Sequence, residues 1–359
     1  MRNKVRVIAT VVAVGGVCWT VPAYAEVLTL RAGFADAALS IDGWGSASSK
    51  DGFLQTNIAP GSTVLAAYLY SADVFGGGVA GNVTLNGTFL SSEAGTLLPS
   101  ANPAQTKVYD VTSFMKPAIE SSSGGLQNWS ISEDGNSDGE VLVVAYRNPS
   151  TAGGTAIIID GGLSTGGSVN HFELAAPYVR GDAIMSLASS FSHGNDQYTT
   201  VDITTSSTDM RRLTNAAGGN EDGSFEDADG ALITVGGIGD SPLNPADPSI
   251  QGASYDDELY NLALGNDQSA TPFIQTGDTF IDLTTVNPSN DDNVFGLFFN
   301  STFAISKVED TSIPPIPEPD TYAMFLVGLG LMGFMASGRK TRFGKNTLIF
   351  SGSTDRSIL

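Results

Sequence analysis

The sequence predicts an all-β protein built as an antiparallel β-sandwich or jelly roll. Short apolar or alternating runs recur along the chain and are separated by turn residues. Asn86-Gly87 follows one such run and is a typical two-residue hairpin turn. Helical periodicity is nearly absent, and only residues 113–120 are predicted to form a short helix, capped by Ser113 and broken early by Pro117.

The predicted strands follow one another in chain order. They are residues 63–70, 82–85, 108–112, 141–146, 155–159, 184–192, 199–205, 231–235, 279–286 and 294–300. The body from residue 26 to residue 312 approaches the length at which single hydrophobic cores tend to split. The Gly- and Ser-rich stretch 161–168 is a natural boundary. We therefore expect two packed β modules, residues 26–160 and residues 161–312.

The first 25 residues predict a secretion signal that forms an apolar helix. Basic residues within the first six positions precede the apolar run 7–17, and Ala23 and Ala25 supply the small side chains that a signal peptidase accepts. Cleavage is expected after Ala25. Cys18 raises the alternative of a lipid-modified N-terminus, but the residue before it is not small. Because Cys18 is the only cysteine, ordinary cleavage leaves a chain with no disulfide, catalytic cysteine or cysteine-bound metal.

The C-terminal end carries the pattern of a second sorting signal. Pro317, Glu318 and Pro319 precede an apolar run over residues 322–336, which is about the shortest helix that can span a membrane. The basic residues that end this run are Arg339, Lys340 and Arg342, and the positive-inside rule keeps them in the cytoplasm. A cytoplasmic tail, residues 343–359, is expected to follow.

This order of parts over residues 313–342 closely resembles the PEP-CTERM sorting segment of exosortase-processed bacterial proteins. The resemblance implies export, a transient inner-membrane anchor and cleavage near the Pro-Glu-Pro motif by an exosortase. Its implied destination is the cell surface or extracellular matrix of a Gram-negative bacterium that makes exopolysaccharide. The alternative is a plain single-span anchor. The resemblance leaves the body of the chain unassigned.

The charge of the chain excludes one class of partner. The chain has 17 basic and 38 acidic residues and a formal net charge of −21. Such a surface repels nucleic acid and attracts cations, so a nucleic-acid partner is not expected.

The acidic turns predict calcium ligands. Asp134, Asn136 and Asp138 stand at alternate positions before Gly139, which is the spacing of a calcium loop, but Ala145 occupies the position where an EF-hand places its bidentate Glu. A solvated turn is the alternative. Further candidate ligands lie on later acidic turns. They are Asp227, Asp229, Asp256, Asp257, Asp291 and Asp292.

Other kinds of site have less support in the sequence. His171 and His193 are the only histidines, and neither has metal-ligand spacing, so a transition-metal centre is not expected. No catalytic constellation emerges. Trp44, between two glycines, is the candidate for stacking on a sugar ring. We therefore expect a non-catalytic surface protein in which Ca²⁺ supports adhesion or association with polysaccharide or other surface proteins. The alternative is an exopolysaccharide-acting glycoside hydrolase or lyase that uses paired carboxylates.

Overall fold

Antiparallel strands make up most of the structure, a computed structural model that describes residues 28–46, 49–73, 80–99, 104–190, 199–217, 232–244, 258–288 and 293–312. The strands are β1 Leu28–Ala35, β2 Ala38–Gly45, β3 Asp51–Ile58, β4 Thr63–Asp73, β5 Val83–Leu85, β6 Thr88–Leu90, β7 Thr96–Leu97, β8 Thr106–Asp110, β9 Gly125–Glu133, β10 Ser137–Arg147, β11 Thr155–Gly161, β12 Ser168–Leu174, β13 Ala183–Ser190, β14 Thr199–Thr205, β15 Arg211–Ala217, β16 Ile233–Val235, β17 Leu259–Asn261, β18 Phe280–Val286, β19 Asn293–Ser301 and β20 Ile305–Ser312. One α-helix, α1, spans Thr112–Glu120 within this part of the chain, and two 3₁₀ turns cover Ser92–Ala94 and Pro149–Thr151.

These strands form four sheets, which we number I to IV. Sheet I has the strand order β3-β9-β5-β6, and sheet II has the order β2-β10-β4-β8-β7. Sheet III has the order β1-β11-β19-β13-β16, with β17 also paired to β13, and sheet IV has the order β15-β14-β18-β12-β20. The all-β antiparallel prediction is confirmed.

Three hydrophobic cores separate the four sheets. One core lies between sheets I and II, a second between sheets II and III, and a third between sheets III and IV. Strand β10 shows why the inner sheets are apolar on both faces. Leu142 enters the first core, whereas Val141 and Val143 enter the second. Because successive side chains of a strand point to opposite faces, a strand buried on both sides is a continuous apolar run.

The strands divide between two sandwiches according to their order in the chain. Sheets I and II use only strands β2 to β10, and sheets III and IV use β1 and β11 to β20. The boundary predicted between residues 160 and 161 falls inside β11. This strand belongs to sheet III because it pairs with β1 on one side and β19 on the other. Both sandwiches belong to a single compact unit, which ends at Pro314.

A polar contact ties the two inner sheets together. Tyr70 of sheet II donates its hydroxyl to Asp160 Oδ2 of sheet III at 2.9 Å, and Arg31 Nε also binds this carboxylate. Burial and the negative charge of Asp160 raise the pKa of Tyr70 well above its usual value. The phenol therefore stays neutral and keeps its donor directed at Asp160.

The local predictions are mostly confirmed. Each predicted strand overlaps an observed one, and Asn86 and Gly87 adopt φ values of 47° and 76°, as a type I′ hairpin turn requires. The predicted cap of the helix is wrong. Val111 is the N-cap residue, and Asp110 Oδ1 accepts the backbone N–H of Thr112 at 3.0 Å. Pro117 lies inside the helix, which continues to Glu120.

The predicted terminal helices lie outside the described residues. Within the described ranges, no helix has the length and apolarity needed to cross a membrane.

Candidate functional site

Four buried carboxylates on strands β4, β9 and β10 are linked through their charges, because Asp138 is close enough to feel Asp73 and Glu133, and Glu140 feels Glu133. They are Asp73, Glu133, Asp138 and Glu140, here called the carboxylate cluster. Asp73 is the last residue of β4 and pairs with Ser137, the first residue of β10. Glu133 is the last residue of β9. Antiparallel order thus gathers acids from three strand ends at one edge of the first sandwich.

A β-bulge brings Asp138 into this group. The pairing register between β4 and β10 shifts between Ser137 and Gly139, so Asp138 has no opposite partner in the ladder. Gly139 adopts a φ of 150°, and a Cβ built there would lie 2.0 Å from the carbonyl oxygen of Trp44. Only glycine fits at this position, so the β-bulge that places Asp138 depends on its neighbour Gly139.

The cluster is almost fully enclosed. Asp138 and Glu140 are 0% exposed, Asp73 is 1% exposed and Glu133 is 6% exposed. Lys50 Nζ donates to Glu133 Oε1 at 2.8 Å, although the Lys50 side chain is itself half exposed. Ser71 Oγ donates to Glu140 Oε1 at 3.2 Å. Asp73 Oδ1 accepts the backbone N–H of Gln105.

These bonds leave five buried carboxylate oxygens with no hydrogen-bond partner among the described residues. They are Asp73 Oδ2, Glu133 Oε2, Glu140 Oε2 and both oxygens of Asp138. An ionised carboxylate without a partner is costly to bury, so the group must either take up a proton or meet a cation. The cluster has the composition of a cation site that prefers oxygen ligands.

The raised pKa values of the cluster acids reflect the same crowding of buried carboxylates. Burial raises the pKa of Asp138 to about 8, and the negative charges of Asp73 and Glu133 add to the rise. The side chain of Ser190 lies nearby and opposes this rise in the pKa of Asp138. Its geometry does not make it a hydrogen-bond partner of either Asp138 oxygen. Burial, with the charge of Glu133, likewise raises the pKa of Glu140 to about 8.

Asp73 is the least perturbed acid of the three whose pKa rises. Burial raises its pKa to about 6, while the backbone N–H of Gln105 and the positive charge of Lys107 oppose the change. Lys107 is itself buried, and its ammonium donates to the carbonyl of Ser92. The acids of the cluster therefore outnumber the cations that reach them.

The structure separates the residues of the predicted calcium loop. Asp134 is exposed and is held by Asn82, whose backbone N–H and side-chain amide each donate to its carboxylate at 2.8 Å. These bonds lower the pKa of Asp134. Asn136 is also exposed, whereas Asp138 points into the buried cluster. The alternate spacing therefore does not make these three residues wrap one ion.

In the described part of the chain, no group of three or more His, Cys, Asp or Glu side chains is placed so that it could hold a metal ion. The other predicted metal ligands lie outside the described residues, and so do the predicted signal-cleavage, sorting and stop-transfer residues. They are Asp227, Asp229, Asp256, Asp257, Asp291, Asp292, Ala23, Ala25, Pro317, Glu318, Pro319, Arg339, Lys340 and Arg342.

Trp44, the candidate for stacking on a sugar ring, is buried in a strand. It belongs to strand β2, is 8% exposed and packs into the core between sheets I and II. A Cβ built on Gly52 would lie 2.2 Å from the indole ring, so the neighbouring strand covers that surface. The indole presents no open face to a sugar ring.

A cavity of about 320 Å³ lies between sheets II and III. Its walls include Ser40, Asn57, Ser186 and Asn300 together with apolar residues, and none of its lining residues is charged. The paired acids that glycoside hydrolysis requires are therefore absent from this cavity, and those of the carboxylate cluster are buried.

Sequence reasoning missed three of the four cluster residues. Asp73 and Glu140 are single acids at the ends of apolar runs, where they resemble strand-end residues exposed to solvent. Their signal is that each stands at one end of an apolar run that is buried on both faces. Glu133 gives a weaker sequence signal, because it ends a strand, β9, that carries several polar residues.

Comparison with known protein families identifies a sorting motif in the C-terminal segment. The family model described as the PEP-CTERM protein-sorting motif matches residues 315–340. The chain carries a PEP-CTERM sorting motif. The match confirms the resemblance drawn from the Pro-Glu-Pro, apolar and basic elements. The PEP-CTERM motif supports export and exosortase sorting, and it leaves the β-sandwich body unassigned.

Two further comparisons give no relative for the body. No curated protein matches the chain. A solved structure, the major capsid protein P2 from bacteriophage PM2, aligns with 77% of this chain and 99% of its own at 12% identity and a TM-score of 0.20. At that score the similarity supports no argument about this chain.

Proposed function

We propose that this chain is a non-catalytic protein of the cell surface or extracellular matrix, whose β-sandwiches are stabilised by Ca²⁺ at the carboxylate cluster. After signal peptidase and exosortase have processed it, the body associates with polysaccharide or with other surface proteins. The PEP-CTERM motif supports the sorting part of this proposal. The observation that carries the calcium part is the set of five buried carboxylate oxygens without hydrogen-bond partners among the described residues.

Calcium suits this cluster for two reasons. Ca²⁺ takes six to eight oxygen ligands in flexible geometry, so carboxylates from several strand ends can serve together. The sequence also supplies few of the sulfur and imidazole ligands that softer metals prefer, since it has one cysteine and two histidines. Asp138, with two unpartnered oxygens, would be the central ligand, and Asp73 and Glu133 would each contribute one more. Binding would neutralise charge that the fold otherwise leaves buried.

Thermal unfolding in EDTA and across a Ca²⁺ titration, with Mg²⁺ as the competing ion, tests the calcium part. A ligand that binds only the native state adds about 2.7 kcal/mol to the free energy of unfolding at 100 times its Kd, and the Tm of a chain this size should rise by several degrees. We expect Asp138→Asn to abolish the Ca²⁺-dependent rise, because it removes the central ligand.

Asp134→Asn is the matched control. It makes the same chemical change on the same turn but at an exposed residue that is bonded to Asn82. The control should keep the full Ca²⁺ response. A wild-type Tm that does not change with Ca²⁺, or a response lost only with Asp134, would disprove the calcium part.

A further inference from the structure

The two outer faces of the four-sheet stack have different chemistry. The outer face of sheet IV carries ion pairs, among them Arg212 with Asp202 at 2.7 Å and Lys307 with Glu309 at 2.6 Å. Paired charges of this kind are typical of a hydrated surface. The outer face of sheet I is almost free of charge. Asp51, at the start of β3, is the only charged residue that the described strands of sheet I direct outward.

Two aromatic side chains stand on this neutral face. Phe53 of β3 is 62% exposed, and Phe89 of β6 is 64% exposed. Burying a Phe is strongly favourable, so two that remain open on one sheet call for an explanation. The strands that carry them are three positions apart in the sheet, which separates the two rings by roughly 14 Å across the strands.

Hydrogen-bonding groups lie between and beside the two rings. Ser130 is the cross-strand neighbour of Phe53, and Thr84 is the cross-strand neighbour of Phe89. Gln55 Nε2 donates to Asn128 Oδ1 at 2.8 Å, which fixes both amides on the surface. Gln55 Oε1 and Asn128 Nδ2 then remain as an acceptor and a donor for a ligand.

We propose that the outer face of sheet I, centred on Phe53, Gln55, Asn128 and Phe89, binds a neutral polysaccharide. A pyranose ring presents an apolar C–H face and an edge of hydroxyls. An aromatic ring beside neutral amide and hydroxyl groups matches both features. The separation of the two rings suits a chain of several sugars rather than one sugar. This inference rests on the proposed surface function and gives the polysaccharide partner a site and a chemical class.

The same observations disfavour other occupants. An anionic polysaccharide would meet no outward basic side chain on the described strands of sheet I, in a protein with a formal net charge of −21. A second copy of the chain would need a well-packed patch that buries about 800 Å² on each partner. The apolar side chains of this face, Phe53, Phe89 and Leu126, are instead separated by Gln, Asn, Ser and Thr.

Binding of the full exported chain to soluble polysaccharides tests the inference, with neutral β-glucan, xylan and dextran as probes and alginate as the anionic probe. Isothermal titration in EDTA and in Ca²⁺ gives the Kd. We expect at least one neutral probe to bind, and the double variant Phe53→Ala, Phe89→Ala to weaken that binding by tenfold or more, since each ring loses its stacking contact.

Met210→Ala is the matched control, because Met210 is 67% exposed but lies in the second sandwich. It should leave the Kd unchanged, and neither variant should lower the Tm appreciably, since both alter exposed residues. Binding of alginate alone, binding of no probe, equal binding by the double variant, or a dimer that the double variant dissociates would each overturn the inference. The processing of the precursor and the Ca²⁺-dependent Tm are read out separately, so their failure is distinguishable from failure here.

Discussion

Deletion of Pro317–Pro319 should leave the precursor unprocessed and held in the membrane. The PEP-CTERM match covers residues 315–340, so the deletion removes the polar element while the apolar and basic elements remain. The apolar run can still insert, but the exosortase loses the motif near which it is expected to cut. Immunoblots of membrane and extracellular fractions from the producing cell would show the longer form accumulating in the membrane at the expense of the secreted form.

A deletion of equal length beyond the matched segment, Ser351–Ser353, is the control and should be processed normally. Unchanged processing and release of the Pro317–Pro319 deletion would contradict exosortase sorting. Loss of processing in both deletions would point instead to general misinsertion of the C-terminal segment.

In EDTA, the protein should lose stability as the pH rises from about 5 to about 8. Burial raises the pKa of Asp138 and of Glu140 to about 8, from ordinary values of 3.8 and 4.5. Between these limits the folded state binds more protons than the unfolded state, so each rise in pH favours unfolding. Because each pKa unit corresponds to about 1.4 kcal/mol, the two acids together should lower the free energy of unfolding by several kcal/mol across this range.

Urea unfolding at a series of pH values measures this loss, and Glu140→Gln should flatten the profile because it removes a buried titrating group. Glu173→Gln, at an exposed residue of β12, makes the same change without altering the cluster and should follow the wild type. A stability that rises with pH over this range, or a Glu140→Gln profile that matches the wild type, would show that these acids are neither buried nor crowded as described.

The sequence predicted the inner strands best. Strands β4, β10 and β19 are buried on both faces, so their apolar runs are long and bounded by turn residues. Strands β3, β9 and β12 expose one face and carry Gln, Asn, Ser or His there, which weakens the apolar signal. Strand β2 was missed because Asp42, Gly43 and Gly45 resemble a turn. The close approach of Val235 to Gly43 explains why a glycine stands in this strand.

The candidate site was predicted only in part, because it depends on strand order. The alternate spacing of Asp134, Asn136 and Asp138 singled out one residue of the carboxylate cluster, Asp138. The partners of Asp138 come from β4 and β9, and nothing local in the sequence shows that these strand ends meet. The sequence also cannot show which face of the bulge receives Asp138, since one extra residue in a strand reverses the direction of the side chain.

Anomalous diffraction from crystals grown in Ca²⁺ is the most direct test of the calcium site. We predict one peak within about 2.3–2.6 Å of oxygens from Asp138 and from Asp73 or Glu133. Crystals at saturating Ca²⁺ with no peak at the carboxylate cluster, or with peaks only at exposed turns such as Asp134, would contradict this prediction.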